Sequence, residues 1–488
     1  MTTVTLSLIS HTNVGKTSLA RTLLRREIGE VRDQPHVTTV AEAHVLIETA
    51  DARLLLWDTP GFGDTVRLMT RLRHEGDPIG WVLHQVWDRV VDRPLWCSQE
   101  AIRNVRHDAD VVLYLVNATE DPQTAGYVKH ELELLSWMSR PVLVLLNQVG
   151  ASDTSATVQR WQNHLTAFPI VRGVLSLDAF SRAWVEESLV LERVAGLLDG
   201  DKRMAMERLL HAWNARNLEI FDASVEAIAH YLADIAADRE SLGASSTSWL
   251  GGRLADLRAL SRVDRERAMG ALFDRVQTRT RRLMERLIEL HRLSGASRAH
   301  VERRLEDAAV RGEEAINPTT GAVAGAAVSG LLTGLGADAL TGGLSLGGGA
   351  IVGAMLGALG GYAFGGAYRL ALGANSGVQF QPAALDRLAR EALLRYLLVA
   401  HHGRGRGDFT DLEHPAHWTA DVEAQLARRS EPLQAVWRDA ARGSATDIAP
   451  RLRPIVRDVL RDLLRQRFPG AHIYGCGRPW PLFDQRAA

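Results

Sequence analysis

The chain has 488 residues and a formal net charge of −1, from 57 basic and 58 acidic side chains. This length predicts two to four domains, and the balanced charge gives no reason to expect a nucleic-acid partner. The two cysteines, Cys97 and Cys476, exclude a disulfide framework and are typical of a reducing compartment. No basic stretch followed by an apolar run opens the chain, so we expect no secretory signal and a cytoplasmic location.

Short apolar runs alternate with helical patterns over residues 1–195 and predict six strands. The predicted strands are Val4–Ile9, Ala43–Ile47, Leu54–Trp57, Val111–Val116, Val142–Leu146 and Ile170–Leu175. Most of these runs are almost continuously apolar, as expected where helices cover both faces of a sheet. The pattern therefore predicts a three-layer α/β domain with a mainly parallel sheet. The second and third runs are joined by ETADAR and predict a hairpin, so one edge of the sheet is expected to be antiparallel.

The first strand is followed by SHTNVGKT at residues 10–17 and then by a helical pattern, which predicts a helix over Ser18–Ile28 that stops at Gly29. This arrangement is typical of a phosphate-binding loop, although Ser10 stands where that pattern has its first glycine. In such a loop, backbone N–H groups and the helix N-terminus bind anionic oxygens. A P-loop NTPase domain is therefore the predicted fold of this part of the chain.

Each loop residue has an expected contact with nucleotide. Gly15 lets the backbone approach the phosphates, Lys16 reaches the β- and γ-phosphates, and the Thr17 hydroxyl binds Mg²⁺. The loop residues expected to bind the nucleotide are Ser10, Asn13, Val14, Gly15, Lys16, Thr17 and Ser18.

Two further segments are predicted to complete the phosphate site. In LLLWDTPGFGD, residues 54–64, Asp58 can hold Mg²⁺ through water and the Gly61 N–H can contact a γ-phosphate; a simple strand-ending turn is the alternative. In PHVTTV, Thr39 is the expected second Mg²⁺ hydroxyl, on a loop that orders around the triphosphate.

These motifs resemble those of the small bacterial GTPases of the Era, TrmE and EngA type, with SHTNVGKT as the first motif, TT as the second and DTPG as the third. The similarity covers roughly residues 4–195. The layout of the whole chain is similar to a bacterial family that joins such a GTPase to a C-terminal domain of unknown function. The resemblance implies GTP and GDP as ligands, Mg²⁺ as a cofactor, and Lys16, Asn13 and Thr39 as catalytic residues.

Two positions within the resemblance bear on the rate of hydrolysis. Asn13 matches an asparagine that helps some of these GTPases bind K⁺ near the phosphates, where a cation would neutralise transition-state charge; an asparagine suited to a tight left-handed turn is the alternative. Phe62 occupies the position of the glutamine that orients water in Ras-like enzymes, and a phenyl ring cannot hold water by hydrogen bonding. We therefore expect slow intrinsic hydrolysis that a partner, a cation or a homodimer improves.

The base-reading motif departs from the family. GTPases of this type carry N-K-x-D after the fifth strand, whereas this chain has Asn147, Gln148, Val149 and Gly150. The missing carboxylate would accept the guanine N1–H and N2–H₂ groups, so either Asp153 or Asp178 substitutes or base selectivity is relaxed. Ser176 resembles the last motif, whose backbone contacts the guanine carbonyl. Our hypothesis is that GTP remains the ligand, with Asn147, Gln148 and Ser176 lining the base.

The remainder of the chain is predicted to be mostly α-helical, with divisions at 196–315, 316–376 and 377–488. Within 316–376, glycines recur every four residues and line one helix face, as in closely packed membrane helices. Two apolar segments, 319–337 and 344–368, are each long enough to span hydrocarbon. A hairpin inserted into the inner membrane, a hairpin buried in protein and a linker all remain open.

Together these features predict a nucleotide-dependent switch at the cytoplasmic face of a bacterial membrane. The expected partners are a guanine nucleotide, membrane lipid through residues 319–368, and an unidentified protein partner or activator. The alternative is a nucleotide-binding membrane scaffold with little or no hydrolysis and relaxed base specificity.

Overall fold

The computed structural model describes residues 1–26, 28, 41–72, 76–84, 92–148, 154–179, 182–241, 254–293, 368–371, 377–403, 416–440 and 443–468. The chain forms two compact units. The first unit comprises Met1–Glu219, Ala400–Phe409 and Arg467–Ala488, and the second comprises Ile220–Val399 and Thr410–Gln466.

A six-stranded sheet forms the centre of the first unit. Its strands are β1 (Thr2–Ser10), β2 (Glu42–Glu48), β3 (Ala52–Asp58), β4 (Val111–Asn117), β5 (Val142–Asn147) and β6 (Val171–Ser176). Their order is β2-β3-β1-β4-β5-β6. Only β2 and β3 pair in antiparallel fashion, while every other neighbouring pair is parallel. All six predicted strands and the predicted antiparallel edge are confirmed.

Helices cover both faces of this sheet. They are α1 (Lys16–Leu24), α2 (Thr65–Leu72), α3 (Pro78–His84), α4 (Arg93–His107), α5 (Gly126–Ser136), α6 (Thr154–Leu165), α7 (Trp184–Gly196) and the beginning of α8 (Gly200–Ala236). Side chains alternate along β4, so that Leu113 and Leu115 join one buried cluster while Tyr114 and Val116 join the other. Burial on both faces explains why the strand sequences are almost continuously apolar.

Helix α8 extends the first cluster beyond residue 195. Its residues Leu209 and Trp213 are fully buried in the cluster that also contains residues of α1 and α7. The first compact unit accordingly reaches Glu219. The four-part division of the chain stays a prediction.

The helix that follows the phosphate loop is shorter than predicted. It begins at Lys16 and ends at Leu24, because Arg25 adopts a left-handed conformation with φ of 54°. The predicted end at Ile28 is therefore wrong by four residues. A buried contact holds the actual end, since the Arg25 guanidinium donates a hydrogen bond to Asn217 Oδ1 of α8.

The second unit is mostly helical, as predicted. Besides the remainder of α8 it contains α9 (Leu254–Leu290), α10 (Pro382–Ala400), α11 (Ala416–Ala427), α12 (Ser430–Ala440) and α13 (Ala445–Arg467). A small antiparallel sheet with the order β7-β9-β8 accompanies them, formed by β7 (Arg239–Ser241), β8 (Tyr368–Ala371) and β9 (Gly377–Phe380).

The glycine-rich hairpin predicted at 316–376 falls almost wholly outside the described residues, which include only 368–371 of it. Its insertion into lipid therefore stays a prediction. Within the ranges that the structure describes, no helix combines the length and hydrophobicity that crossing a bilayer requires.

His401 is buried in the first unit. Its lowered pKa is expected to make the stability of the protein depend on pH. Its Nδ1 lies 2.7 Å from the Arg182 carbonyl oxygen, and the Arg182 N–H donates to the His401 carbonyl oxygen at 3.0 Å. Burial lowers the pKa of His401 from 6.5 to about 4, because the imidazolium would lose its hydration; the hydrogen bond to the Arg182 carbonyl opposes this shift, and the charges of Arg467 and Arg182 add to it.

As the pH falls from 6.5 to about 4, the unfolded chain therefore binds a proton that the folded chain excludes, and stability is lost. We expect this residue to remove roughly 3 kcal/mol over that window, from about 1.36 kcal/mol per pKa unit. The measurement is the melting temperature of wild type and His401→Gln across this pH range. The variant should show the shallower dependence, whereas exposed His107→Gln should follow wild type. Equal slopes for all three proteins would contradict the prediction.

Candidate nucleotide-binding site

The loop between β1 and α1 contains two residues in the left-handed conformation. Gly15 is the N-cap of α1 and has φ of 98°, and Asn13 is also left-handed with φ of 64°. The first helical hydrogen bond runs from the Leu19 N–H to the Gly15 carbonyl at 2.9 Å. The side chains of Val14 and Ser18 are buried, whereas Asn13 is exposed. The N-terminus of α1 thus lies directly beside the loop, which favours anion binding.

Lys16 lies between the loop and the DTPG segment. Its Nζ donates a hydrogen bond to Ser10 Oγ at 2.9 Å, and the residue is only 7% exposed. A Cβ at Gly61 would lie 3.0 Å from this Nζ, so a larger residue at position 61 would crowd the ammonium. Burial lowers the pKa of Lys16, while the carboxylates of Asp58 and Glu131 act in the opposite direction. The structure therefore brings Ser10, Lys16 and Gly61 together.

The oxygens of Thr17 and Asp58 meet beside Lys16. The Thr17 hydroxyl donates to Asp58 Oδ2 at 2.8 Å, whereas Asp58 Oδ1 is buried without a hydrogen-bond partner among the described residues. Burial raises the pKa of Asp58 to about 6, and Thr17 and Lys16 oppose that rise. A hydroxyl beside an unsatisfied buried carboxylate fits a hard cation such as Mg²⁺, which prefers oxygen ligands. The predicted third ligand, Thr39, lies outside the described residues.

The segment after Asp58 is attached to the protein core by Phe62. Its side chain is fully buried, and its N–H donates to the Ser10 carbonyl at 2.9 Å. The following N–H, that of Gly63, donates to Ser98 Oγ at 3.1 Å on α4. The phenyl ring therefore does not line the phosphate site.

On the side where a base is expected, Asn147 connects two backbone segments. Its Nδ2 donates to the Val14 carbonyl at 2.7 Å, and its Oδ1 accepts the Ala179 N–H at 2.8 Å. The residue is fully buried. Both ends of its amide thus hold backbone, which makes Asn147 a residue that positions the phosphate loop.

For the other residues predicted to contact the base, the structure gives only their backbone position or burial. Gln148 is left-handed, with φ of 60°. Ser176 ends β6, and Asp178 follows it as a half-buried residue. Asp153, the alternative carboxylate, lies outside the described residues. The assignment of a base-reading carboxylate stays a prediction.

The structure contains a polar network under the loop that was not predicted from the sequence. His11 Nδ1 lies 2.8 Å from Glu131 Oε1, and the Tyr114 hydroxyl donates to Glu131 Oε2 at 2.7 Å. Tyr127 stacks on His11 with ring centroids 4.4 Å apart. His11 lies inside the recognised loop motif, but Glu131 is 120 residues away in sequence and carries no motif of its own.

Replacing Gly15 with alanine is expected to damage both the loop and its binding function. A Cβ at this position would lie 2.8 Å from Asn147 Nδ2, and φ of 98° is strained for any residue with a Cβ. The strain alone costs about 1–3 kcal/mol. We expect a lower melting temperature together with loss of nucleotide binding. Gly126→Ala is the matched control because its Cβ would meet nothing within 4 Å; equal behaviour of the two variants would refute the assignment.

Two protein families match different parts of the chain. Residues 5–148 match the family described as 50S ribosome-binding GTPase. Residues 169–464 match the family described as domain of unknown function DUF3482. Among curated proteins, none matches the chain.

Solved structures that match part of this chain include two of Era. One is a variant of Era from Aquifex aeolicus bound to GDP and AlF4⁻, with 19% sequence identity, a TM-score of 0.31, and 41% of this chain and 59% of that chain covered. The other is Era in complex with MgGDPNP and a segment of 16S ribosomal RNA, with 18% identity, a TM-score of 0.31 and the same coverage. The chain thus spans less than two thirds of the length of these structures.

The two family matches cover different parts of the chain. The GTPase match ends at Gln148, where the base-reading motif departs from N-K-x-D. The second match covers more than half of the 488 residues. The chain therefore belongs to the DUF3482 family, and its N-terminal residues 5–148 match a GTPase family.

Proposed function

We propose that this protein is a guanine-nucleotide-dependent switch that binds GTP and GDP at residues 10–18 and hydrolyses GTP slowly. The observation that supports it best is the meeting of Lys16, Thr17 and Asp58 around the left-handed Gly15. An ammonium, a hydroxyl and a carboxylate at a helix N-terminus suit a polyphosphate and its counter-ion. Binding at the γ-phosphate would then order the segments that carry Thr39 and Asp58.

Two cations belong to this proposal. Bound Mg²⁺ would neutralise charge on the β- and γ-phosphates, and Thr17, Asp58 and Thr39 would hold it. K⁺ would bind at Asn13, whose exposed side chain lies on the left-handed part of the loop. The test is phosphate release in K⁺ and in Na⁺ by wild type and Asn13→Ala. We expect faster release in K⁺ for wild type and no such difference for the variant; equal rates in both salts for wild type would refute the K⁺ site.

Guanine selectivity is proposed to come from Asp178, with Ser176 contributing its backbone. Asp178 lies one residue before Ala179, whose N–H binds Asn147. The test is competition between GTP and ATP for wild type and Asp178→Asn. A preference for GTP that falls in the variant supports the assignment, and equal affinity for both nucleotides in wild type would refute it. A site that hydrogen-bonds its ligand can discriminate by roughly 10⁴-fold, so the effect is measurable.

We further propose that residues 319–368 bring the protein to the cytoplasmic membrane face. The support is the run of glycines at four-residue spacing in that segment, which suits close packing of two helices. Flotation of the full chain with phosphatidylethanolamine–phosphatidylglycerol vesicles tests it. Recovery with the vesicles is expected, and recovery in the soluble fraction at every lipid concentration would refute it.

A scaffold with little or no turnover is the second candidate, and the burial of Phe62 favours it, because the chain presents no water-orienting side chain at that position. Phosphate release by wild type and Lys16→Ala distinguishes the two functions. Release that exceeds the Lys16→Ala background identifies a GTPase switch, whereas saturable binding without release identifies the scaffold.

A further inference from the structure

Gly61, Phe62 and Gly63 are three consecutive buried residues whose backbone N–H groups differ in their partners. The Phe62 N–H donates to the Ser10 carbonyl at 2.9 Å, and the Gly63 N–H donates to Ser98 Oγ at 3.1 Å. Among the described residues, the Gly61 N–H has no hydrogen-bond partner. Because buried N–H groups are nearly always paired, this donor indicates a place for a ligand atom.

The Gly61 backbone lies beside both Lys16 and the loop of residues 10–18. A Cβ at Gly61 would lie 3.0 Å from Lys16 Nζ and 3.1 Å from Thr12 Cα. An N–H donor beside an ammonium suits an anionic oxygen. If nucleotide binds the loop as proposed, the oxygen that reaches this donor belongs to the γ-phosphate, which GTP carries and GDP lacks. Whatever fixes the Gly61 backbone therefore affects the binding of GTP and not that of GDP.

The ring of Phe62 anchors this segment in the protein core. It is fully buried in the apolar cluster that also contains Leu68 of α2 and Leu95 of α4. The backbone of Phe62 in turn pairs with that of His11 in a β-bridge. A shift of Phe62 would expose its ring and break the hydrogen bond of its N–H, so both contacts favour one position of the neighbouring Gly61.

Helix α4 fixes the other end of the segment. Gly63 packs so closely on this helix that a Cβ at Gly63 would lie 2.6 Å from Pro94 Cα. Ser98 Oγ accepts the Gly63 N–H and donates to the Pro94 carbonyl at 3.0 Å. The contact requires a residue without a side chain at position 63, and it ties the backbone two residues after Gly61 to a regular helix.

We propose that Phe62 and Gly63 are positioning residues that hold the Gly61 N–H where it meets the γ-phosphate, and so set the affinity for GTP relative to GDP. This inference rests on the proposed nucleotide site. A donor that is already fixed binds its acceptor without a further loss of conformational entropy, which strengthens the contact. The apolar residue at the position of the water-orienting glutamine then has a role of its own, because it anchors the amide of the preceding residue.

The experiment titrates the full chain with GDP and with a non-hydrolysable GTP analogue, both in the presence of Mg²⁺. A hydrogen bond to a charged group is worth roughly 10–100-fold in affinity. We therefore expect Gly63→Ala and Phe62→Ala to bind the analogue at least about tenfold more weakly, while GDP affinity stays within about threefold of wild type. Phe62→Leu keeps a buried apolar side chain and should retain the wild-type ratio of the two affinities. Gly196→Ala on α7 is the matched control, because its Cβ would meet nothing within 4 Å.

Ser98→Ala tests the same inference without changing the apolar core, because it removes only the hydroxyl that accepts the Gly63 N–H. The ratio of analogue affinity to GDP affinity should fall about threefold in this variant. Thermal unfolding shows which variants are folded. If neither Gly63→Ala nor Phe62→Ala folds, Ser98→Ala decides the outcome.

Each other outcome has a defined meaning. A wild-type ratio in folded Gly63→Ala or in Ser98→Ala overturns the inference, and the proposed nucleotide site stands. An equal loss of both affinities also overturns it, since the segment would then only stabilise the domain. Failure of the proposed function is distinguishable, because wild type would then bind neither nucleotide, and the inference would fail with it.

Discussion

Replacing Lys16 with alanine is expected to weaken the binding of GTP and GDP by roughly 100-fold. A hydrogen bond to a charged group is worth about 1.5–3 kcal/mol, and each 1.4 kcal/mol corresponds to about tenfold in affinity. Lys16 is the ammonium that the structure places between Ser10 and Gly61. Its removal therefore takes away the positive charge that meets the phosphates. The measurement is titration with a fluorescent GDP or GTP analogue in the presence of Mg²⁺.

The chain offers a matched control for this variant. Lys129 is an exposed lysine on α5, and Lys129→Ala should bind nucleotide as wild type does. Ligand-free Lys16→Ala is expected to melt close to the wild-type temperature. The buried ammonium has lost its hydration, and removing this unfavourable effect offsets the contacts that the variant loses. Unchanged affinity in a folded Lys16→Ala would remove the basis of the phosphate site.

Replacing Asn147 with alanine is expected to lower the stability of the first unit by roughly 3 kcal/mol, since each unsatisfied buried group costs about 1–3 kcal/mol. The substitution leaves the Val14 carbonyl and the Ala179 N–H without their side-chain partner. Because Val14 lies in the phosphate loop, nucleotide affinity should fall as well. Thermal unfolding with and without GDP measures both effects.

Two further variants separate the parts of this effect. Asn147→Asp keeps the oxygen that accepts the Ala179 N–H but places a buried carboxylate oxygen against the Val14 carbonyl, so it should destabilise at least as much as Asn147→Ala. Asn163→Ala on α6 removes an exposed asparagine and should change little. If Asn147→Ala melts at the wild-type temperature, the bridging role of Asn147 is wrong.

Local patterns explain why much of the first unit could be predicted from the sequence. The β4 and β5 sequences are apolar because both faces of each strand are buried, and this pattern is visible without any knowledge of pairing. The predicted phosphate loop is equally local, since Gly15, Lys16 and Thr17 are adjacent and the positive φ of Gly15 favours a glycine at that position. The Thr17–Asp58 contact joins two recognised motifs, so it too could be predicted from the sequence.

The features that could not be predicted depend on contacts between distant residues. Helix α1 ends at Leu24, where the left-handed Arg25 contacts Asn217, which is 192 residues away. The amide of Asn147 forms hydrogen bonds with the Val14 carbonyl and the Ala179 N–H, and no sequence pattern distinguishes that role from contact with the base. The pairing of His11 with Glu131 likewise joins the loop after β1 to a helix residue 120 positions away, which the helix sequence alone does not reveal.

The most direct test of the phosphate site is a crystal structure of the protein with a non-hydrolysable GTP analogue and Mg²⁺. We expect that the backbone N–H groups of residues 13–18 surround the phosphates, that Lys16 Nζ leaves Ser10 Oγ to contact them, and that Thr17 lies against the metal. The contradicting result is an analogue bound elsewhere, with Lys16 still on Ser10 at saturating nucleotide.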